Sequence, residues 1–260
     1  MTDPKLWRDT VQALRFFSRL PLPALSGEAD PHGLPDFAEL ARVVPLVGLV
    51  LGGMTGLVLL PASLVWPPMV AALVCVGAGV VMTGAFHEDG LADTADSLGG
   101  VTPERRLEIM KDSRIGTFGA AALIIGLLLK VTAIASLVGA AGAGRTALAL
   151  AAAGAVSRMA AMALSYYLPA ARPDGAASAT GTPSPAAWQA GCLTALATGL
   201  LAWPAAGFTG VLLGLAAAAG LAGLAVRFAR AHIGGHTGDV AGATQQCVEI
   251  AVLLVWLIFA

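Results

Sequence analysis

The sequence predicts an all-α, polytopic membrane bundle of about seven transmembrane segments, folded as a single domain over residues 1–260. Three observations carry that prediction. Only 12% of the residues are charged and 57% are hydrophobic, whereas a soluble domain carries roughly 25% and 45–50%. The mean hydropathy is +0.79. Two stretches, 43–86 and 175–226, contain no Asp, Glu, Lys or Arg, and the second is long enough for two crossings at about 20 residues each.

Residues 1–24 mix polar and aromatic side chains without a continuous apolar core and cleavage site, so they read as part of the mature chain and not as a signal peptide. Apolar segments then fall at about Val44–Leu60, Pro68–Phe86, Phe118–Val138, Thr146–Leu168, Ala186–Trp203, Phe208–Val226 and Cys247–Phe259. The first and last are short for full spans. Breaks at Pro61 and Trp66-Pro67-Pro68, at Gly139 to Gly144, and at Pro204 to Gly207 separate the members of three hairpins. The segments are rich in Ala, Gly and Leu, and small residues let helices approach closely in lipid. Cys75, Cys192 and Cys247 lie in apolar surroundings with no partner at a zinc-like spacing, which predicts buried free thiols.

Charge sets the orientation, because short cytoplasmic loops are enriched in Lys and Arg. With the N-terminus inside, Lys5, Arg8, Arg15, Arg19, Arg42, Arg105, Arg106, Lys111, Arg114, Arg172, Arg227 and Arg230 all face the cytoplasm. Only Arg145 falls in an outer loop, while Lys130 and Arg158 fall within spans. Nearly all acids and the four histidines, His32, His87, His232 and His236, share the cytoplasmic side. Cytoplasmic loops 87–117 and 227–246 are therefore expected to form the active-site face. A net charge of −1 gives no basis for nucleic-acid binding.

The run His87-Glu88-Asp89-Gly90-Leu91-Ala92-Asp93-Thr94-Ala95-Asp96 places four acids and a histidine at the end of an uncharged stretch. As a helix it aligns Asp89, Asp93 and Asp96 on one face. Three carboxylates on one stripe repel one another, and oxygen-only ligands favour a hard cation such as Mg²⁺, completed by water and substrate phosphate. Glu88 is a further candidate ligand; His87 is a base, a ligand or an interfacial side chain. Thr102 and Pro103 signal a following helix bearing Arg105, Arg106 and Lys111, with Arg114 just beyond. Carboxylates and arginines together suit a phosphoanhydride, which needs a divalent cation on its oxygens and fixed cations for the leaving phosphate. The competing account of the arginines is a solvated helical face of pairs such as Arg105 with Glu108.

Arg158, preceded by Ser157, is expected inside the fourth span, contacting substrate or a carboxylate, or pairing internally to hold the bundle. Lys130 is expected to snorkel and is given no role. A glycine-rich loop, residues 232–246, carries Asp239 and Gln245 ahead of Glu249 and is a candidate second half-site. Arg172, with Asp174, sits at a span end and either contacts substrate or anchors the interface.

With these residues in place, the chain resembles the cobalamin synthase family. The resemblance rests on Phe16-Phe17-Ser18-Arg19-Leu20-Pro21-Leu22-Pro23, on the acidic run, on residues 104–117, and on Gly234-Gly235-His236-Thr237-Gly238-Asp239 with Gln245. It implies an adenosylcobinamide-GDP ribazoletransferase of the bacterial inner membrane. The 3′-hydroxyl of α-ribazole, or of α-ribazole 5′-phosphate, would attack the cobinamide-side phosphate of adenosylcobinamide-GDP and expel GMP with Mg²⁺. Arg19 enters the candidate substrate contacts through this resemblance. The partners expected are those substrates and the lipid bilayer, with a homo-oligomer or a B12 assembly complex left open. The acidic stripe is also similar to that of CDP-alcohol phosphotransferases, but Ala92 is followed by Asp93 and not by the Ala-Arg pair of that signature, so their mechanism does not transfer. Ser97 departs from the glycine common in the cobalamin synthases after the third Asp. The rival readings are a cation transporter using the acidic stripe as its ion site, and a scaffold without turnover.

Overall fold

A computed structural model describes residues 4–25, 30, 35–173 and 176–260. His32 and Asp174 lie outside the described residues. The elements are α1 (Pro4–Phe17), α2 (Phe37–Leu40), α3 (Val44–Val65), α4 (Pro68–Thr83), α5 (Phe86–Ser97), α6 (Pro103–Ile109), α7 (Thr117–Ala141), α8 (Ala143–Ala161), α9 (Ala163–Tyr167), α10 (Ala176–Ala179), α11 (Pro185–Gly199), α12 (Trp203–Ile233) and α13 (Gly238–Ile258). Among the described residues there is no strand, only an isolated bridge between Ala170 and His236.

The predicted apolar segments all fall in helices, but their lengths differ from the expectation. Among the described residues, five helical stretches are long and apolar enough to cross a membrane, and six if the bent pair α4 and α5 forms one span. One of the five, Pro185–Ile233, has 49 residues, and at 1.5 Å per residue it would measure roughly 74 Å if straight, over twice a bilayer core. It breaks where Gly207 adopts φ 64°, and α11 and α12 both pack on α8. Two of the predicted segments therefore occupy this one broken stretch.

Small residues bring the central helices together. A Cβ on Gly48 would lie 2.1 Å from the Gly154 carbonyl oxygen, and one on Gly52 would lie 2.3 Å from that of Leu150. Thus α3 and α8 touch backbone to backbone, which suits lipid, where close packing drives association. Leu57, Leu73, Val81, Ile124 and Leu193 project outward from the bundle, as lipid-facing positions do. Of the thiols, only Cys75 is buried; Cys192 is half-buried and Cys247 is exposed. The expectation of three buried thiols is corrected, because an apolar helix in lipid has no need to turn every apolar side chain inward.

Helix α1 is amphipathic and docks through Val11, Leu14 and Phe17 on the start of the bundle, where Asp9 pairs with Arg42. At the same end α4 stops at Gly84 (φ 65°), and Ala85 also takes a positive φ of 58°. That conformation costs an alanine about 1–2 kcal/mol. The result is an 89° bend that turns α5 aside from the axis of α4. Thr102 caps α6 as the sequence predicts, its Oγ1 accepting from Arg105 N at 3.3 Å. The glycine-rich loop expected over 232–246 shrinks to residues 234–237, because α12 runs to Ile233 and α13 starts at Gly238, where Thr237 Oγ1 accepts from Val240 N. Consequently Glu249 lies in the middle of α13 and not at a segment start.

Candidate active site

The acidic run forms α5 as expected, and glycine determines what it meets. A Cβ on Gly90 would lie 2.7 Å from the Asp239 carbonyl oxygen, and one on Gly242 would lie 3.3 Å from His87 Cα. Only two glycines facing each other allow α5 and the first turns of α13 to cross this closely. The crossing joins the acidic stripe to the glycine-rich segment that carries Asp239. Asp93 feels the charges of Asp89, Asp239 and Asp96, opposed by Arg172.

Beside the crossing lies a cavity of about 430 Å³. Six residues singled out from the sequence line it: His87, Asp89, Arg158, Arg172, Asp239 and Gln245. Arg172 is placed by donating to the Leu107 carbonyl at 2.9 Å, and its guanidinium stands 3.7 Å from Asp239. Strand-like pairing of residues 169–171 with His236 ties this loop to the gap between α12 and α13. His236 also lines the cavity; its Nδ1 lies 3.0 Å from the Pro169 carbonyl. A carbonyl only accepts, so Nδ1 carries the proton and Nε2 keeps its lone pair in the neutral ring. Burial holds His236 below the ordinary histidine pKa, against hydrogen bonds to Pro169 and Leu168 that raise it.

The remaining predicted residues are placed elsewhere. Asp96 accepts from Gly116 N at 2.7 Å and Gly119 N at 2.8 Å, so both of its oxygens hold the start of α7. Glu88 is rotated off the aspartate stripe and accepts from Gln246 Nε2 at 3.0 Å. Arg106 donates to the Gly100 and His232 carbonyls and fastens α6 to the end of α12. Arg105 pairs with Glu108, and Arg114 pairs with Asp112, holding that carboxyl down at about 2; both arginines are exposed, as is Lys111. These pairs match the solvated-face account. Arg19 is exposed beside Gly84, and neither it nor the three exposed cations lines the cavity.

Beneath the cavity is a buried polar chain. Gln246 donates to Glu88 and to Gln245; Gln245 donates to Ser157 at 3.0 Å and to Glu249 at 2.8 Å. Lys130 pairs with Glu249 at 2.8 Å. The snorkelling expected of Lys130 is thereby corrected: it sits in the middle of α7, and its ammonium turns inward to the carboxylate. Arg158 is 6% exposed, donates to the Gly154 carbonyl, and feels the charges of Glu249 and Glu88 while lining the cavity.

Sequence reasoning missed the cavity's aromatic wall. Phe16, Phe17, Phe37 and Phe86 all line it, with centroids of neighbouring rings 4.9–6.2 Å apart, and His87 stacks on Phe17. Phe16 and Phe17 belong to the segment Phe16-Phe17-Ser18-Arg19-Leu20-Pro21-Leu22-Pro23. Phe37 had no signal, since it reaches the wall only through folding of the segment before α3.

Asp89, Asp93 and Asp239 carry oxygen donors only, the chemistry that a hard divalent cation prefers. Among the described residues no group of three or more His, Cys, Asp and Glu side chains is placed to hold a metal ion. Asp89 and Asp239 interact electrostatically with Asp93, and Mg²⁺ is commonly held by only one or two carboxylates, with water and phosphate completing it. Glu88 and Asp96 are not brought into that set.

Comparison with known proteins agrees with the geometry. The cobalamin-5-phosphate synthase family profile matches residues 9–257. The adenosylcobinamide-GDP ribazoletransferase of Azorhizobium caulinodans is 45% identical, covering 100% of this chain and 99% of its own. Relatives of the same name from Brucella anthropi and Brucella ovis are 44% and 43% identical, the first over 94% of both chains and the second over 95%. No solved structure matches significantly. The match across nearly the whole chain, with the acidic stripe, the glycine crossing and the cavity inside it, places the chain in the cobalamin-5-phosphate synthase family.

Proposed function

We propose that this chain joins α-ribazole, or α-ribazole 5′-phosphate, to adenosylcobinamide-GDP, giving adenosylcobalamin or its 5′-phosphate and GMP. The observation that carries the reading is the crossing of α5 and α13, which sets Asp89 and Asp239 at one cavity with Arg158 and Arg172. The full-length relatives bear the name of this activity. In the reaction, the ribazole 3′-oxygen forms a bond to the cobinamide-side phosphorus while the bond from that phosphorus to the GMP oxygen breaks. The hydroxyl proton passes to a carboxylate of the cluster, and GMP leaves as the anion.

Asp89, Asp93 and Asp239 would hold Mg²⁺, which supplies charge neutralisation at the diphosphate oxygens when bound. Arg172 and Arg158 meet developing phosphate charge from within the cavity, where their burial makes fixed cations act strongly. Arg106 and Asp96 act as positioning residues, through α6 and α7. The site faces the cytoplasm of a bacterial inner membrane in this reading, which the lysine and arginine distribution supports. A transporter is not favoured, because the mid-span carboxylate Glu249 is already paired with Lys130. Asp89→Asn and Asp93→Asn should each abolish GMP release while leaving membrane insertion intact; near-normal turnover in either would overturn the assignment.

A further inference from the structure

The cavity has two unlike groups of walls. Phe16, Phe17, Phe37 and Phe86 form one contiguous aromatic group from α1, α2 and the start of α5. Asp239 and Arg172 form a charged group at the start of α13 and the loop after α9. The four rings pack on one another and also present a face to about 430 Å³ of space. That volume falls in the usual range for small-molecule sites, roughly 300–1,000 Å³. One bicyclic base with its pentose fits such a space. A corrinoid carrying an adenosyl ligand and a guanosine diphosphate is several times too large.

Resting on the transferase reading, we infer that this aromatic chamber is the base-recognition pocket for the incoming nucleoside, taking the dimethylbenzimidazole of α-ribazole while the corrinoid stays outside. The chemistry of the base decides between the two nucleosides of the reaction. Guanine carries donors and acceptors along its edges, and burying them against phenylalanine without partners is unfavourable. Dimethylbenzimidazole in its riboside is apolar around its carbocyclic edge and offers a flat π-face, which phenyl rings meet by stacked or edge-on contact. With the base among the phenylalanines, the ribose is directed toward the charged group, where the 3′-hydroxyl has carboxylates within reach. The wall therefore acts on specificity: it selects apolar bases and penalises bases with polar edges.

The test is equilibrium binding of radiolabelled α-ribazole to the full chain in lipid nanodiscs, without corrinoid, alongside steady-state GMP release. Phe86→Ala is the main variant, because Phe86 is 40% exposed and contributes little to the core; Phe16→Leu is the milder second one. Loss of a stacking ring should weaken α-ribazole binding and raise its KM by about 10-fold, with the KM for adenosylcobinamide-GDP unchanged within about twofold. An α-riboside of hypoxanthine should compete at least 10-fold more weakly than that of benzimidazole, and Phe86→Ala should narrow the gap. Unchanged α-ribazole binding in both variants, or an equal rise in both KM values, would overturn the base pocket while leaving the transferase reading standing. Phenylalanine-dependent binding without GMP release in the unaltered chain would do the reverse, keeping the pocket and removing the transferase reading.

Discussion

Gly90→Ala isolates the crossing of α5 and α13. A Cβ at position 90 lies 2.7 Å from the Asp239 carbonyl oxygen and 3.2 Å from the Cα atoms of Asp239 and Gly242. Carbon–oxygen contacts settle at about 3.3–3.6 Å, so the helices must part by roughly 0.6 Å or more. A misplacement of about 1 Å at reacting groups costs on the order of 100-fold, which puts the loss in kcat at about 10- to 100-fold. Stability should change much less. Alanine gains about 1 kcal/mol over glycine in a helix, while overpacking costs about 1–3 kcal/mol. The control is Gly223→Ala on α12, where an added Cβ meets nothing within 4 Å. GMP release and thermal unfolding of both variants in nanodiscs make the assay. Activity of Gly90→Ala within about twofold of the unaltered chain would refute the claim that this crossing sets the carboxylates.

Glu249→Gln leaves Lys130 buried without its carboxylate, and breaking a buried pair costs about 3–5 kcal/mol, so the midpoint of thermal aggregation should fall sharply; Lys130→Met combined with Glu249→Gln should recover much of it. Asp96→Ala removes the acceptor for Gly116 N and Gly119 N and should destabilise by about 0.5–2 kcal/mol, read in the same unfolding assay. Arg114→Ala should leave GMP release within about twofold, because the exposed guanidinium engages only Asp112 among the described residues. His236 has a lowered pKa in the folded protein, so the unfolded chain binds more protons as pH falls through about 6.5. Its contribution to stability is present above that pH and lost below it, and His236→Asn should flatten the pH dependence of the unfolding midpoint between about pH 7 and 5.

The membrane class was legible because hydropathy is a sum over residues and needs no contacts. The acidic helix was legible because spacing at 89, 93 and 96 defines a face. The depth of Glu249 was misread for a physical reason: residues 238–246 look like a loop by their glycines, yet those glycines permit close helix crossing at Gly242 and leave the helix intact. Lys130 turns inward where its sequence position suggests snorkelling, because its partner lies 119 residues away, beyond any periodicity argument. The arginines of residues 105–114 share a loop with the carboxylates, but sequence proximity did not bring Arg105 or Arg114 to the cavity; local acids hold them at the surface. Arg172 reached the site through a long-range bond to Leu107. The aromatic wall needed three separate segments to converge, which no single motif records.

The central claim is a metal-dependent transfer from adenosylcobinamide-GDP to α-ribazole at the carboxylate crossing. Its most direct test is GMP release by the purified chain in lipid, given both substrates, with Mg²⁺ and after chelation. GMP formed mole for mole with cobalamin, and abolished on removing the metal, is the result predicted. Absence of turnover in either lipid or detergent would contradict the transfer, and GMP release undiminished by chelation would contradict the role given to Asp89, Asp93 and Asp239.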